Sequence, residues 1–244
     1  MKSTPAGTPA LLHCPSSSCC ANIGRPCDRT GDRCLRLERG QYLYRTSEPV
    51  LQVLYAICRG AVKTCELSVG GQQRIAGIHY AGDVVGLGTI GLRRHYQSAI
   101  ALTDTVVYVC PYTELVDGTP LAALLSQQIA RAQRERLLLT APAEQRIAAF
   151  VLGLPPIHPC ANRQNPVRTM PMTRAEAGAY LGMADTTISR MLNRFQRLHY
   201  LTIHRTELTI CNADALTYIA GPAMSSPSNS AHASDGMGES DIPA

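Results

Sequence analysis

The chain of 244 residues lacks a run of about eighteen apolar residues, the length that a membrane-spanning helix requires. Its N-terminus also lacks the positively charged segment followed by an apolar one that marks a secretory signal peptide. We therefore expect a cytoplasmic protein without membrane contact. A hydrophobic content of 45% is enough for one or two modest cores.

Several familiar catalytic motifs are missing as well. The sequence contains no C-x-x-C pair, no nucleophile elbow, no phosphate-binding loop and no H-E-x-x-H. A thiol oxidoreductase or a zinc hydrolase would need one of these arrangements. We therefore expect that the protein is not an enzyme.

Cysteine, by contrast, is abundant and unevenly distributed. Five of the ten cysteines lie in the first 34 residues, at Cys14, Cys19, Cys20, Cys27 and Cys34. A reducing compartment disfavours disulfides, so these thiols are interpreted as metal ligands or reactive groups. The surrounding residues are rich in Ser, Pro, Gly and Arg and cannot form a core alone. Thiolates suit iron-sulfur clusters or zinc, and nearby arginines would lower the thiol pKa values. The alternative is a disordered tail with incidental cysteines.

Residues 35–118 have the pattern of a β-roll. Alternating stretches at 51–57, 61–67 and 105–110 predict strands, and Gly60, Gly70-Gly71 and Gly82-Asp83 stand at turn positions. Strands at this spacing favour a small barrel or sandwich. Cys58 and Cys65 lie inside strands and are predicted to be buried. Cys110 ends its strand before Pro111, where its thiol is placed to face the N-terminal arm.

A long helix is predicted over residues 119–140. Leu121, Leu125, Ile129 and Ala132 recur at spacings of four, four and three, a stripe that two chains can bury against each other. The helix therefore predicts a homodimer. In the alternative, the same stripe packs on its own β-roll.

The stretch from Met172 to Gln196 predicts two short helices joined by a tight turn at 181–183. Thr173 is a good N-cap for the first helix, and Glu176 closes a capping box. The second helix begins near Asp185 and directs Ile188, Leu192 and Phe195 toward a core. Its opposite face suits a DNA major groove. The predicted DNA-binding set is Thr173, Arg174, Thr186, Thr187, Ser189, Arg190, Asn193 and Arg194.

Two further features favour DNA over an ordinary helical hairpin with a solvated face. Residues 197–203 and 207–210 alternate as two strands around a turn near residues 204–206, the wing of a winged helix. From Arg131 to Arg205 there are eleven Arg and no Lys against four acidic residues, a local balance of +7. Such a domain would bind phosphates in a salt-dependent way. We predict a DNA-binding domain over residues 141–221 and a disordered tail over 222–244.

The order of cysteine-rich arm, β-roll, long helix and winged helix resembles the CRP/FNR family of bacterial regulators, and within it the oxygen-sensing FNR branch. The resemblance rests on residues 54–60, 77–86, 143–150 and 172–196. It implies an α+β fold. The components are an N-terminal β-roll of the cyclic-nucleotide-binding, jelly-roll type, a dimerisation helix and a C-terminal winged helix-turn-helix.

The resemblance also implies a function. The expected protein is a homodimeric transcription factor that binds a roughly palindromic site in double-stranded DNA and contacts RNA polymerase. Residues 1–34 would be its sensory arm, with an oxygen-labile [4Fe-4S] cluster that favours the DNA-binding dimer. In FNR-like proteins three arm cysteines and one roll cysteine are ligands, which suggests Cys14 or Cys19, Cys20 and Cys27, plus Cys110. Cys110 stands two residues later in its strand than the usual ligand.

Departures from the family pattern leave alternatives open. The family's recognition helix usually carries Glu-x-x-Ser-Arg, whereas Thr186 stands here at the Glu position. We expect Arg190 to retain its guanine while the selectivity opposite Thr186 changes. Residues 86–90 lack the Glu that binds a cyclic nucleotide, and Gln97-Ser98 replaces the usual Arg-Ser pair, so that cyclic nucleotides are not expected. A thiol- or zinc-based sensor and a small-molecule-responsive regulator on this scaffold remain alternatives.

Overall fold

The computed structural model describes residues 33–67, 70, 73–114, 119–157 and 166–221. Within these ranges a β-roll, a long helix and a C-terminal winged-helix module follow one another, and the predicted α+β fold is confirmed. The cysteines at 14, 19, 20 and 27 and the tail at 222–244 lie outside the described residues.

The β-roll consists of two four-stranded antiparallel sheets. The first has the order β1-β8-β3-β6, with β1 at Cys34–Leu37, β3 at Val53–Arg59, β6 at Val84–Val85 and β8 at Thr105–Pro111. The second has the order β2-β7-β4-β5, with β2 at Tyr42–Tyr44, β4 at Ala61–Leu67, β5 at Gln73–Tyr80 and β7 at Ser98–Ala101. Apolar side chains from both sheets, including Tyr55, Ile57, Val62 and Val107, form one buried cluster. These side chains occupy alternate positions along their strands, and their burial holds the two sheets together.

The turns at Gly60 and Gly82 lie where the glycines predict them, and one strand starts later than predicted. Gly60 has φ +92°, and a Cβ there would lie 2.5 Å from the Thr105 hydroxyl, so that the turn requires glycine. Gly82 also has positive φ, and the Asp83 carboxylate accepts from the Tyr80 N–H at 2.9 Å. The strand predicted from residue 51 begins only at Val53. The reason is that Gln52 adopts φ +57°, which interrupts an extended strand.

Helix α1 spans Thr119–Thr140. The two halves of its apolar stripe, from which a dimer contact was predicted, differ in their burial. Leu121 and Leu125 are half-buried against the first sheet of the roll, beside the buried Leu124. Ile129 is 59% exposed, and Ala132 is exposed too. The first half of the stripe therefore packs on its own roll, and only the second half is available to another chain. Neither α1 nor another helix in the described ranges is long and apolar enough to cross a membrane.

The described residues of the C-terminal module form four helices and a three-stranded sheet of order β10-β11-β9. The helices are α2 at Ala143–Gly153, α3 at Arg174–Leu181, α4 at Asp185–Arg197 and α5 at Ala213–Ala220. The strands are β9 at Val167–Thr169, β10 at Leu201–His204 and β11 at Glu207–Ile210. Phe195 of α4 is fully buried, and Ile188 and Leu192 are 1% exposed, as the helical spacing predicts.

The wing differs from its prediction at its start, whereas β11 spans the predicted residues 207–210. The strand predicted from Arg197 begins at Leu201, because α4 continues to Arg197 and the Leu198 N–H still donates to the Arg194 carbonyl at 3.0 Å. His199 then turns the chain with φ +55°. Strand β9 was not predicted, since it is only three residues long and follows a proline-rich stretch.

Candidate nucleic-acid interface

The N-terminus of α3 has the hydrogen bonds that its sequence predicts. The Glu176 N–H donates to the Thr173 Oγ1 at 3.1 Å, and the Thr173 N–H donates to the Glu176 carboxylate at 2.9 Å. Together they form a complete capping box. Gly182 ends the helix with φ +64°, and Gly178 allows close approach, since a Cβ there would lie 2.6 Å from the Met183 carbonyl oxygen. The turn between α3 and α4 is therefore fixed by local chemistry.

Replacing Thr173 with alanine should lower the free energy of unfolding by about 1 kcal/mol, because the first turn of α3 loses the hydroxyl that accepts from the Glu176 N–H. Chemical denaturation of the two proteins measures the difference. Thr173→Ser is the matched control, since it keeps the hydroxyl and should stay close to the parent protein. Equal losses in both variants would contradict this role for the hydroxyl.

Helix α4 presents one polar face to solvent. Thr186, Arg190 and Asn193 are exposed, and Thr187 and Ser189 are half-buried. An open groove along this face is lined by Asp185, Thr186, Ser189, Arg190, Asn193 and Arg197. The apolar face of the same helix is buried in the module, so the polar side chains project from a rigid support. Arg197 was missing from the predicted set, although it follows Asn193 by four residues, which is the spacing of neighbours on one helix face.

Two arginines of the predicted set have partners within the module. The guanidinium of Arg174 donates to the Ser189 hydroxyl at 3.1 Å, and thereby links the start of α3 to α4. Arg194 lies 3.5 Å from the Glu144 carboxylate of α2, and these side chains are 49% and 33% exposed. A pair with this much exposure contributes little to stability. The Arg194 guanidinium can therefore exchange the Glu144 carboxylate for a phosphate oxygen at low cost.

Cys110 was expected to end its strand with its thiol toward the arm, but β8 continues through Pro111 and Cys110 is 1% exposed. It belongs to an apolar cluster, named here the arm-side cluster, that lies between the first sheet and α1. The buried members of this cluster are Leu54, Ala56, Cys58, Val84, Leu87, Tyr108, Cys110 and Leu124. Cys65 is 2% exposed and lies in a different cluster, and the predicted burial of both Cys58 and Cys65 is confirmed.

Strand pairing brings the arm to this cluster. Cys34 is paired with Tyr108 and packs against the arm-side cluster, and the Val109 N–H donates to the Arg33 carbonyl at 2.9 Å. The arm therefore enters the roll beside Cys110. No group of three or more metal-ligating side chains occurs among the residues that the structure describes. A four-thiolate site at Cys110 would need cysteines of the arm.

The roll also contains a cavity of about 520 Å³ next to α1. Its lining includes Glu66, His79, Gln97, Arg131 and Glu135. The Gln97 amide donates to the Glu66 carboxylate at 2.6 Å. Burial is the main cause that lowers the pKa of His79 to about 4, and the Arg131 cation acts in the same direction. His79 is therefore a neutral imidazole at pH 7.

Two family models match this chain. The Crp-like helix-turn-helix domain matches residues 145–219, and the Cyclic nucleotide-binding domain matches residues 34–117. The chain is also 35% identical over 196 residues to the fumarate and nitrate reduction regulatory proteins of Yersinia pestis and of Escherichia coli (strain K12). Each alignment covers 76% of this chain and 77% of the relative.

Solved structures show the same architecture. FixK2 from Bradyrhizobium japonicum has a TM-score of 0.65 at 24% identity, with 77% of this chain and 96% of that chain covered. A CRP-family transcriptional regulator from Thermus thermophilus has a TM-score of 0.65 at 23% identity, with 78% and 98% covered. The order of β-roll, long helix and winged helix is thus a known arrangement.

Proposed function

Because the chain belongs to the CRP/FNR family of DNA-binding transcriptional regulators, we propose that α4 reads an operator while thiol chemistry at the arm controls its binding. The observation that carries the proposal is the exposed polar face of α4 above a fully buried apolar face. The proposal extends to the residues that contact DNA, to the contact between the two chains of the dimer and to the redox group.

Arg190 is the side chain best suited to read a base. Its guanidinium can donate two hydrogen bonds to the O6 and N7 of one guanine, which is the commonest specific contact in the major groove. Thr186 offers a methyl group and a hydroxyl, a chemistry that suits thymine or a phosphate oxygen. Thr173 and Arg174 start α3, and the positive end of the helix dipole favours a phosphate there. The same face thus combines base contacts with backbone contacts.

The dimer contact is proposed for the second half of α1. Ile129 and Leu137 are each 59% exposed and lie eight residues apart, with the exposed Gln133 midway between them on the same helix face. Two copies of this face would form a coiled-coil-like seam, in which the apolar side chains supply the burial and the central Gln133 pair fixes the register. The two-fold symmetry would place two α4 helices in successive major grooves of a roughly palindromic operator, with RNA polymerase as the further partner.

A cluster ligated by thiolates fits the place where the arm joins the roll. Cys110 belongs to the arm-side cluster and Cys34 packs against it, and the Arg33 carbonyl is bonded to β8 next to Cys110. Cys14 or Cys19, Cys20 and Cys27 would complete the ligand set, with Cys34 as a further thiol within the described residues. A [4Fe-4S] cluster would supply an oxygen-labile group here. Ligation would tie the arm to the surface on which Leu121 and Leu125 of α1 pack, and so would connect the thiols to the dimer helix.

A small-molecule-responsive regulator is the second candidate, and the cavity in the roll favours it. The chemistry of its lining does not suit a cyclic nucleotide. Gln97 occupies the family's phosphate-binding position, and its amide is bonded to the Glu66 carboxylate, which would repel a phosphate.

Anaerobic purification followed by iron, acid-labile sulfide and zinc assays tests the cluster. We expect about four iron and four sulfide per chain, and a protected palindrome in footprints under anoxic conditions that disappears in air. Cys110→Ser should lower the iron content, whereas Cys211→Ser, at an exposed thiol of the C-terminal module, should leave it unchanged. Zinc without sulfide would establish the zinc-based alternative. A metal-free dimer that protects the operator would overturn the requirement for a cluster.

A further inference from the structure

An ion pair joins the roll directly to the helix-turn-helix. Lys63 of β4 places its Nζ 2.7 Å from the Oε1 of Glu176 in α3. The side chains are only 17% and 23% exposed, so solvent screens the pair less than it would a surface pair. The two residues are 113 positions apart in the chain. The pair therefore connects two parts of the fold that are remote in sequence.

The same carboxylate also closes the capping box of α3. Its Oε2 accepts from the Thr173 N–H at 2.9 Å and from the Thr173 hydroxyl at 3.0 Å, while Oε1 accepts from Lys63. Burial opposes the charge of Glu176, but hydrogen bonds from Lys63 and Thr173 hold its pKa below the usual value. Glu176 is therefore ionised at neutral pH and binds the roll and the start of α3 at once.

From the start of α3 the contacts continue to the recognition helix. Arg174 follows Thr173, and its guanidinium donates to the Ser189 hydroxyl at 3.1 Å. Ser189 precedes Arg190, which is the proposed base reader. An uninterrupted path of hydrogen bonds and adjacent residues thus leads from a lysine of the roll to the DNA-facing side of α4.

The other end of α3 is held by a second set of contacts. The Tyr180 hydroxyl donates to the Glu135 carboxylate of α1 at 3.0 Å, and this carboxylate pairs with Arg131 at 3.1 Å. Arg131 in turn pairs with Asp83 of the roll at 2.8 Å. The apolar residues Ile75 and Ile78 of β5 share one buried cluster with Ala177 and Leu181 of α3. The contacts at both ends of α3 therefore oppose a rotation of this helix about its apolar contact.

We propose that Lys63 is a positioning residue for operator binding. It touches no DNA, but through Glu176 it fixes the orientation of α3, and through Arg174 it keeps Ser189 and Arg190 in register with the groove. The inference rests on the proposed reading of the operator by α4. It adds a residue of the β-roll to the determinants of DNA affinity.

Operator affinity of Lys63→Met, Glu176→Gln and the double variant tests the proposal. Glutamine at the third helical position still closes a capping box, so Glu176→Gln removes the charge while keeping the cap. With the footprinted palindrome as a labelled duplex, each single variant should bind about fivefold more weakly. The double variant should be no weaker than either single one, because all three lack the same ion pair. Lys63→Arg should restore binding to within about twofold of the parent.

The salt dependence of binding separates positioning from direct contact. A residue that contacts phosphate reduces the slope of log K against log salt by about one when it is removed, whereas Lys63→Met should leave the slope unchanged. Arg59→Met, which removes an exposed cation at the end of β3, is the matched control and should bind like the parent. Parental affinity of Lys63→Met, additive losses or a reduced slope would each overturn the proposal. If Arg190→Ala also binds like the parent, the proposal that α4 reads the operator is itself wrong.

Discussion

Replacing Arg190 with alanine is expected to weaken binding to a matched operator by about 1 to 3 kcal/mol, a factor of about 5 to 150. The guanidinium is exposed on the face of α4 that lines the open groove, while Ile188 and Leu192 on the opposite face are buried. The substitution therefore removes a forked donor without disturbing the core. The loss of affinity should appear with operators that carry guanine at the half-site position read by Arg190.

Fluorescence anisotropy with matched and base-substituted duplexes measures this effect. Arg190→Ala should bind both duplexes about equally, because the residue that distinguishes them is gone. Arg39→Ala, which removes an exposed cation of the roll, is the control for a general loss of positive charge. A variant that still discriminates between the two duplexes as the parent does would exclude Arg190 as the base reader.

Acid should destabilise the protein through His79 by about 2 kcal/mol between pH 7 and pH 5, and by about 3 kcal/mol at pH 4. Burial is the main cause that lowers the pKa of His79 from 6.5 to about 4, Arg131 adds to it, and Asp83 opposes it. Between these two values the unfolded chain binds a proton that the folded chain does not. Stability is therefore complete above pH 6.5 and is lost as the pH falls toward the folded pKa.

Urea denaturation at several pH values, compared with His79→Gln, isolates this contribution. The variant has no titrating imidazole at position 79, so its stability should fall less steeply between pH 7 and pH 5. His95 remains in both proteins and accounts for a residual slope, because burial lowers its pKa as well. Parallel pH profiles of parent and variant would show that His79 is not the responsible group.

The helix-turn-helix is the part of the fold that the sequence predicts best. The capping box at Thr173, the left-handed Gly182 and the buried positions of α4 all follow from interactions within about four residues. Short-range rules of this kind hold in almost any tertiary setting. The family resemblance, which rests in part on this segment, is confirmed by the family models and by the relatives at 35% identity.

Predictions that depended on the partner of an apolar face were only partly correct. Leu121 and Leu125 pack on the chain's own roll, while Ile129 is left exposed, and helical periodicity cannot tell these cases apart. Cys110 was placed correctly in β8, but its burial depends on α1, which covers that face of the sheet. The start of the wing shifted by four residues, because a helix end and a strand can share one apolar pattern.

The sequence by itself determined the order of the parts, the exposed polar face of α4 and the positive charge around it, because period, capping and charge are properties of neighbouring residues. Only the tertiary structure decided that Lys63 meets Glu176 and that Tyr180 reaches Glu135. These contacts join residues far apart in the chain. Their pairing is set by how the roll, α1 and the C-terminal module pack together, and no local pattern records it.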